Sequence, residues 1–358
     1  GSSTLPPDVF YVVLPHLADD HEYRDLEFNT DIQHADVMIL VDLSGSMSGE
    51  HTNLKEDIND VVIDGVNAQL ADAAFGLTKF GTWDDFDDVY EVTQPITTNA
   101  SSVQTAVDSI AQCGGSDEAH NEALYQVSTG EGFDYDGYVI PAANCASQQG
   151  SVGGGCFRDY ALPIYIMATD EDFIAGEGHS RSEAISAMNG INAKFIGIDS
   201  GGGAADGDFD AISNGTNSLN ASNQPFNFNI SSDGTGLSNT VVDAVLDLTQ
   251  NVQLSEVTTE TESVANAYSV DTTQFIKAIT PVSANPTSGV SSFDSTTFYG
   301  VDPGTLLLFQ VDFYNDIFNP TTSEVVLFEA TIDVVGEGTN LDSHPVYIIV
   351  PGRAGTGT

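Results

Sequence analysis

Apolar positions follow two different rhythms along the chain. Before residue 34 there is one apolar run at 9–14 and an alternating pair, Leu26 and Phe28, which predict strands set in polar linkers. From Ala35 onward, strand patterns alternate with helix patterns. Residues 37–41, Val-Met-Ile-Leu-Val between Asp36 and Asp42, predict a central strand buried on both faces. Leu54, Ile58, Val61, Val62, Val66 and Leu70 recur close to helical spacing. Strands at 74–80, 89–96, 162–169, 193–198 and 226–230 then alternate with helices at 101–111, 118–127, 180–191 and 237–250. Such alternation predicts an α/β domain over 35–252, a doubly wound parallel sheet with helices on both faces. Beyond 252 the helical signal stops. Runs at 275–279, 296–299, 305–314, 325–335 and 346–350, broken by Pro, Gly, Asn and Asp, predict an antiparallel β-sandwich.

Composition adds a bias rather than a fold. The 358 residues are 41% hydrophobic, enough for a sizeable core, but 53 acidic side chains face only 8 basic ones, for a net charge of −45. Nucleic acids and anionic membrane surfaces are polyanions and would repel this chain. No apolar run approaches the ~20 residues of a membrane helix, so no membrane insertion is expected. The Gly-Ser-Ser start has no leader pattern and reads as an expression scar or an internal cut. Asp outnumbers Glu, 36 to 17, and only 4 Lys and 4 Arg are present. Such a surface fits a salt-adapted (halophilic) source, or a secreted adhesive protein from ordinary seawater. Cys145 and Cys156 bracket a polar excursion within 128–158 that a disulfide can staple, leaving Cys113 outside it and favouring an extracellular or cell-surface location.

The candidate chemistry sits where the first buried strand ends, at Asp42-Leu43-Ser44-Gly45-Ser46. An Asp and two hydroxyls at alternate positions can aim at one point, and their oxygens suit a hard divalent cation. In an open α/β sheet, ligands bind beyond the carboxyl ends of the strands. Glu118, expected to open a helix after Cys-Gly-Gly-Ser, and Asp170, closing the strand at 162–169, are placed to join them.

This constellation resembles the von Willebrand factor A (VWA) domain and its metal-ion-dependent adhesion site (MIDAS), whose DxSxS motif stands here as Asp42-x-Ser44-x-Ser46. The segments "GGSDEAHNEALYQV" and "LPIYIMATDEDFIAGEGHS" are similar to the integrin β-subunit version and its bacterial relatives. The resemblance implies a Rossmann-like fold and a metal site of Asp42, Ser44, Ser46, Glu118 and Asp170, with Asp117 as the alternative to Glu118. Of two acids that hold an adjacent metal in integrins, only Glu50 is present, Gly49 standing at the other position. The implied cofactor is Mg²⁺, with Mn²⁺ or Ca²⁺ as alternatives. The implied partner is a protein or other carboxylate-bearing surface ligand, another copy of the chain included. The function expected is metal-dependent adhesion rather than catalysis; the alternatives are a structural subunit of a surface layer or filament and, more distantly, a metal-assisted hydrolase. In integrin β subunits the metal-binding domain interrupts a β-sandwich. The analogous expectation is one discontinuous sandwich, 5–34 plus 253–352, around the inserted domain, the alternative being that the N-terminal strands extend the α/β sheet.

Other patterns are read structurally. The Asp84–Asp88 run lacks EF-hand spacing and reads as a solvated loop. Asp206-Gly-Asp208-Phe-Asp210 reads as a turn and helix start, and His179 as a surface residue near the site. A phosphate loop would need Gly-Lys-Ser/Thr, and a serine hydrolase a G-x-S-x-G elbow; neither is present in the right register.

Overall fold

In the computed structural model, residues 10–83, 88–135, 137–146, 148, 150–174 and 176–353 are described. Most of the Asp84–Asp88 run therefore lies outside the described residues. The chain divides into two units, Ile32–Gln253 and a second made of residues up to Asp31 with those from Leu254.

In Ile32–Gln253 the sheet order is Asn227–Asn229, Lys194–Asp199, Leu162–Thr169, His34–Asp42, Asp72–Phe80, Glu91–Thr97. All neighbours are parallel except the last pair. That antiparallel edge departs from the expected all-parallel sheet. Residues 81–90 join the two strands with no helix among the described residues, and only a longer crossover returns a strand in parallel. The strand order reverses between His34–Asp42 and Leu162–Thr169, which makes their carboxyl ends the switch point. Every residue of Leu162–Thr169 is buried, as the apolar run up to Ala168 requires.

Met38, Leu40, Tyr165 and Met167 pack with Leu124, Val127, Met188 and Ile212 from the helices His120–Thr129, Arg181–Gly190 and Asp206–Gly215. On the alternate side of the strands, Ile39, Val41 and Ile166 line a small cavity with Leu54, Leu237 and Val241. The first helical stretch runs from Ser48 to Asn67 and is π-helical over Ile58–Ile63. A Ser180–Glu183 capping box starts Arg181–Gly190, satisfying orphan amides of its first turn. The 128–158 excursion contains a hairpin, Phe133–Tyr135 with Tyr138–Ile140, that the hydrophobic pattern did not indicate. A Cys145–Cys156 disulfide closes its far end.

The second unit holds a six-stranded sheet, ordered Phe10–Val13, Thr339–Val350, Val326–Gly336, Leu254–Ser263, Phe298–Val301, Val290–Phe293, and a three-stranded one, Ile276–Asn285, Leu306–Phe313, Glu22–Phe28. Phe10–Val13 pairs in parallel with 346–349, and Glu22–Phe28 antiparallel with 307–313. Rings from the two sheets meet: Phe298 stands edge-on to Phe309 at 5.2 Å, and Phe28 to His344 at 4.7 Å. Leu254–Ser263 lies inside the larger sheet, although its sequence, with only Leu254 and Val257 apolar, gave no strand signal.

Candidate metal centre

Asp42 ends the central strand and is fully buried, so its carboxylate needs internal donors. The Ser44 amide donates to Oδ1 (2.8 Å) and the Thr169 hydroxyl to Oδ2 (2.7 Å). His120 Nε2 lies 3.0 Å from the same Thr169 oxygen. His120 Nδ1 in turn lies 3.2 Å from the Glu118 carbonyl, which can only accept, so the ring bridges Thr169 and the Glu118 backbone with a single hydrogen when neutral. Burial drives the His120 pKa down to about 3, which keeps the ring neutral. His51 Nε2 donates to the Asp42 carbonyl at 2.6 Å and fixes the turn from below.

The hydroxyls continue outward. Ser44 Oγ lies 3.1 Å from Ser46 Oγ, which donates to Asp170 Oδ1 at 3.1 Å. Asp42, Ser44, Ser46 and Asp170 thus form one connected run of oxygens, buried at Asp42 and open at Ser46.

Glu118 is delivered by a different loop. The Cys113 amide donates to the Leu43 carbonyl (2.9 Å), Trp83 to Asp117 (2.8 Å) and Ala119 to Gly81 (2.9 Å), so residues 113–119 are fastened to the ends of two strands. Gly115 has φ +110°, and a Cβ there would stand 2.3 Å from the Thr82 hydroxyl; only glycine permits this approach. Glu118 therefore sits just before the helix, which begins at His120, and not at its first residue as the sequence suggested. Its side chain is buried, and Oε2 has no hydrogen bond. Asp117 is half-buried.

The electrostatics describe a site short of positive charge. Burial raises Asp42 to about 6, against the Ser44 and Thr169 hydrogen bonds. Burial and then the Asp42 charge raise Glu118 to about 7, with Glu171 and Asp170 adding to it. Glu50 is also raised, by burial first and then by Asp170 and Asp233 against the Ser200 hydroxyl, and no hydrogen bond of normal length reaches either of its oxygens. Among the described residues no Lys or Arg forms an ion pair with Asp42, Glu50, Glu118 or Asp170.

Hydrogen bonds link Asp42, Ser44, Ser46 and Asp170, and the Asp42 and Asp170 charges act on Glu118, whose Oε2 has no hydrogen bond; oxygen donors of this kind suit a hard cation. Among the described residues, no three His, Cys, Asp or Glu side chains converge closely enough to hold a metal by themselves, so hydroxyls would have to complete the donor set. The supporting residues His51, His120 and Thr169 went unassigned in the sequence, because a lone buried His or Thr carries no spacing signal. His179 is half-buried rather than a rim residue: its Nδ1 and amide both meet Glu122 Oε2 at 2.8 Å, and its ring stacks on Tyr125.

No family model matches the sequence, and no curated protein matches it. Among solved structures, the chain is similar to a von Willebrand factor type A protein from Catenulispora acidiphila, at 12% identity and TM-score 0.44 over 97% of this chain and 76% of that one. It is similar to proximal thread matrix protein 1 of the mussel byssus (16%, TM-score 0.40, 62% and 49%) and to the pilus adhesin SpaC of Lactobacillus rhamnosus GG (12%, TM-score 0.38, 95% and 46%). The chain spans about half the length of these last two. Likenesses this distant assign no chemistry, which rests on the donors themselves.

Proposed function

We propose that Ile32–Gln253 is a VWA-like module that binds a partner through a divalent cation held by Asp42, Ser44, Ser46, Glu118 and Asp170, with Mg²⁺ favoured over Mn²⁺ and Ca²⁺. The observation that carries this reading is Glu118: a buried carboxylate oxygen without a donor, beside Asp42 and away from any basic side chain. Leaving such a group unpaired is costly, and a cation removes that cost. When bound, the cation supplies an electrophilic position for a partner's carboxylate. Asp42 is held in orientation by Ser44 and Thr169, and Glu118 by the loop fastened to the strand ends. With no His, Cys or Lys nucleophile among these donors and both nearby imidazoles engaged, binding is a better use of the site than hydrolysis. Asp117 remains the alternative to Glu118, and Glu50 the acid of an adjacent site.

We place the module on the cell surface or outside the cell, a reading supported by the Cys145–Cys156 disulfide. We further propose that it is an insertion in a β-sandwich built from both ends of the chain, supported by the pairing of Phe10–Val13 and Glu22–Phe28 with C-terminal strands.

The test is Mn²⁺ binding by calorimetry and electron paramagnetic resonance, in the whole chain and in Asp42→Ala. Binding is expected in the parent and lost in the variant, and acetate should perturb the bound Mn²⁺ spectrum. Absence of binding defeats the metal reading; a spectrum indifferent to acetate defeats the adhesive one.

A further inference from the structure

Three consecutive side chains behind Glu118 hold the segment that follows Asp170. The helix His120–Thr129 opens two residues after Glu118, and His120, Asn121 and Glu122 each meet a different point on that segment. The His120 ring stacks on Phe173 at 4.3 Å. Asn121 Nδ2 donates to the Ile174 carbonyl at 3.2 Å. Glu122 Oε2 accepts from the His179 amide and meets His179 Nδ1, both at 2.8 Å. The segment is fixed at its far end too, where Ser180 caps Arg181–Gly190.

Glu122 is the unusual member. Its side chain is fully buried, and among the described residues its ion-pair partner is His179. Burying a carboxylate is costly unless its lone pairs find donors. Gln126 Nε2 serves Oε1 at 2.8 Å, and His179 serves Oε2. With the carboxylate ionised only donors suit it, which puts an imidazole hydrogen on Nδ1. The close approach needs glycine at 178, because a Cβ there would stand 2.6 Å from Glu122 Oε2 and 2.6 Å from the Trp83 ring. An apolar side chain would be buried more cheaply than a carboxylate at position 122. What the carboxylate adds is orientation, since it dictates where residues 178 and 179 lie.

We infer that Asn121, Glu122 and His179 are positioning residues that set which cation the site prefers. The inference rests on the cation centre proposed above. Glu118 leads into the helix and Asp170 into the clasped segment, so the clasp fixes the spacing of these two carboxylates before a cation arrives. The three residues act through Glu118 and Asp170 and are not themselves donors. Mg²⁺ demands near-octahedral oxygens at about 2.0–2.1 Å, whereas Ca²⁺ accepts about six to eight at about 2.3–2.6 Å in flexible geometry. A held pair of carboxylates suits the smaller ion. A loosened pair can open to the larger one.

The test follows Mn²⁺ bound to the whole chain by electron paramagnetic resonance and displaces it with Mg²⁺ or with Ca²⁺. The preference is read as the ratio of the two displacing concentrations. The parent is expected to release Mn²⁺ at lower Mg²⁺ than Ca²⁺. His179→Phe keeps a ring against Tyr125 but loses the Nδ1 donor, and Asn121→Ala loses the tie to Ile174. Each should cut the ratio by about tenfold, chiefly through weaker Mg²⁺ binding. His179→Asn, whose amide nitrogen can stand where Nδ1 stands, should restore most of it. A clasp that only stabilised the fold would weaken both ions alike, and melting temperatures of the variants control for this. A parent that prefers Ca²⁺, a ratio unchanged in His179→Phe and Asn121→Ala, or one lost equally in His179→Asn overturns the inference and leaves the cation centre standing. A parent that binds no Mn²⁺ overturns both.

Discussion

Thr169 gives its single hydroxyl hydrogen to Asp42 Oδ2 at 2.7 Å, joining the end of one strand to the end of its neighbour. With His120 behind it, Thr169 is the residue through which Asp42 is aimed. Outer partners of this kind typically govern 10–100-fold of metal affinity. Thr169→Val should therefore weaken Mn²⁺ binding by about tenfold or more, and Thr169→Ser should retain it. Calorimetry on both variants decides; equal affinity in Val and Ser would make Thr169 a packing residue only.

The site should couple cations to protons. Metal-free Asp42 and Glu118 sit at about 6 and about 7, above their ordinary values. Groups raised in the folded state contribute stability below their unfolded pKa and lose it as pH rises through the folded one. In EDTA, the melting-temperature difference between parent and Asp42→Asn should therefore move against the parent as pH rises from about 4 through about 6. With saturating Mg²⁺ the trend should reverse, because metal and proton compete. Parallel pH curves with and without Mg²⁺ would remove Asp42 from the site.

Gly201 offers a purely steric test. A Cβ there would stand 2.1 Å from the Asp170 carbonyl oxygen, whereas at Gly45 nothing lies within 4 Å. Gly201→Ala should cost about 1–3 kcal/mol and displace Asp170, weakening cation binding as well. Gly45→Ala should stay within about 0.5 kcal/mol. Denaturant melts of the two variants give the comparison, and a harmless Gly201→Ala would mean that this loop can shift freely.

Salt should stabilise the fold. In the six-stranded sheet Glu260 is directly opposite Asp333, and like charges so placed repel. The melting temperature should rise with NaCl toward molar concentrations, as expected of a salt-adapted surface. Glu260→Thr should raise it most at low salt. A transition indifferent to salt would reduce the acidity to a matter of solubility.

Removing the Cys145–Cys156 bridge, which closes a separation of 11 residues, should cost about 3 kcal/mol by the chain-entropy argument. Chemical denaturation of the Cys145→Ser, Cys156→Ser double variant measures it. Because the bridge lies away from Asp42 in the chain, Mn²⁺ affinity should be unchanged.

Buried strands were the most legible elements. The apolar 37–41 and 162–168 runs announced themselves, because a strand covered on both faces admits little else. Leu254–Ser263 was invisible for the opposite reason: threonine and glutamate occupy it, and its place in the sheet comes from pairing with Val326–Gly336. The Asp42, Ser44 and Ser46 cluster was readable from spacing within one turn. Glu118 and Asp170 were candidates from their places at a helix start and a strand end, whereas His120 depends on a fold contact with Thr169, 49 residues away, that no local pattern encodes.

The pairing of Phe10 with Val346 also sets an order of events during synthesis. Phe10–Val13 and Glu22–Phe28 leave the ribosome before Ile32–Gln253, yet their partner strands follow only after roughly 300 more residues, tens of seconds at about 5–20 residues per second. Ile32–Gln253, whose sheet pairs only with itself, can fold in that interval. The two leading strands must meanwhile wait without partners. A nascent chain of this design leaves an apolar tetrapeptide exposed until residues 346–349 emerge to pair with it.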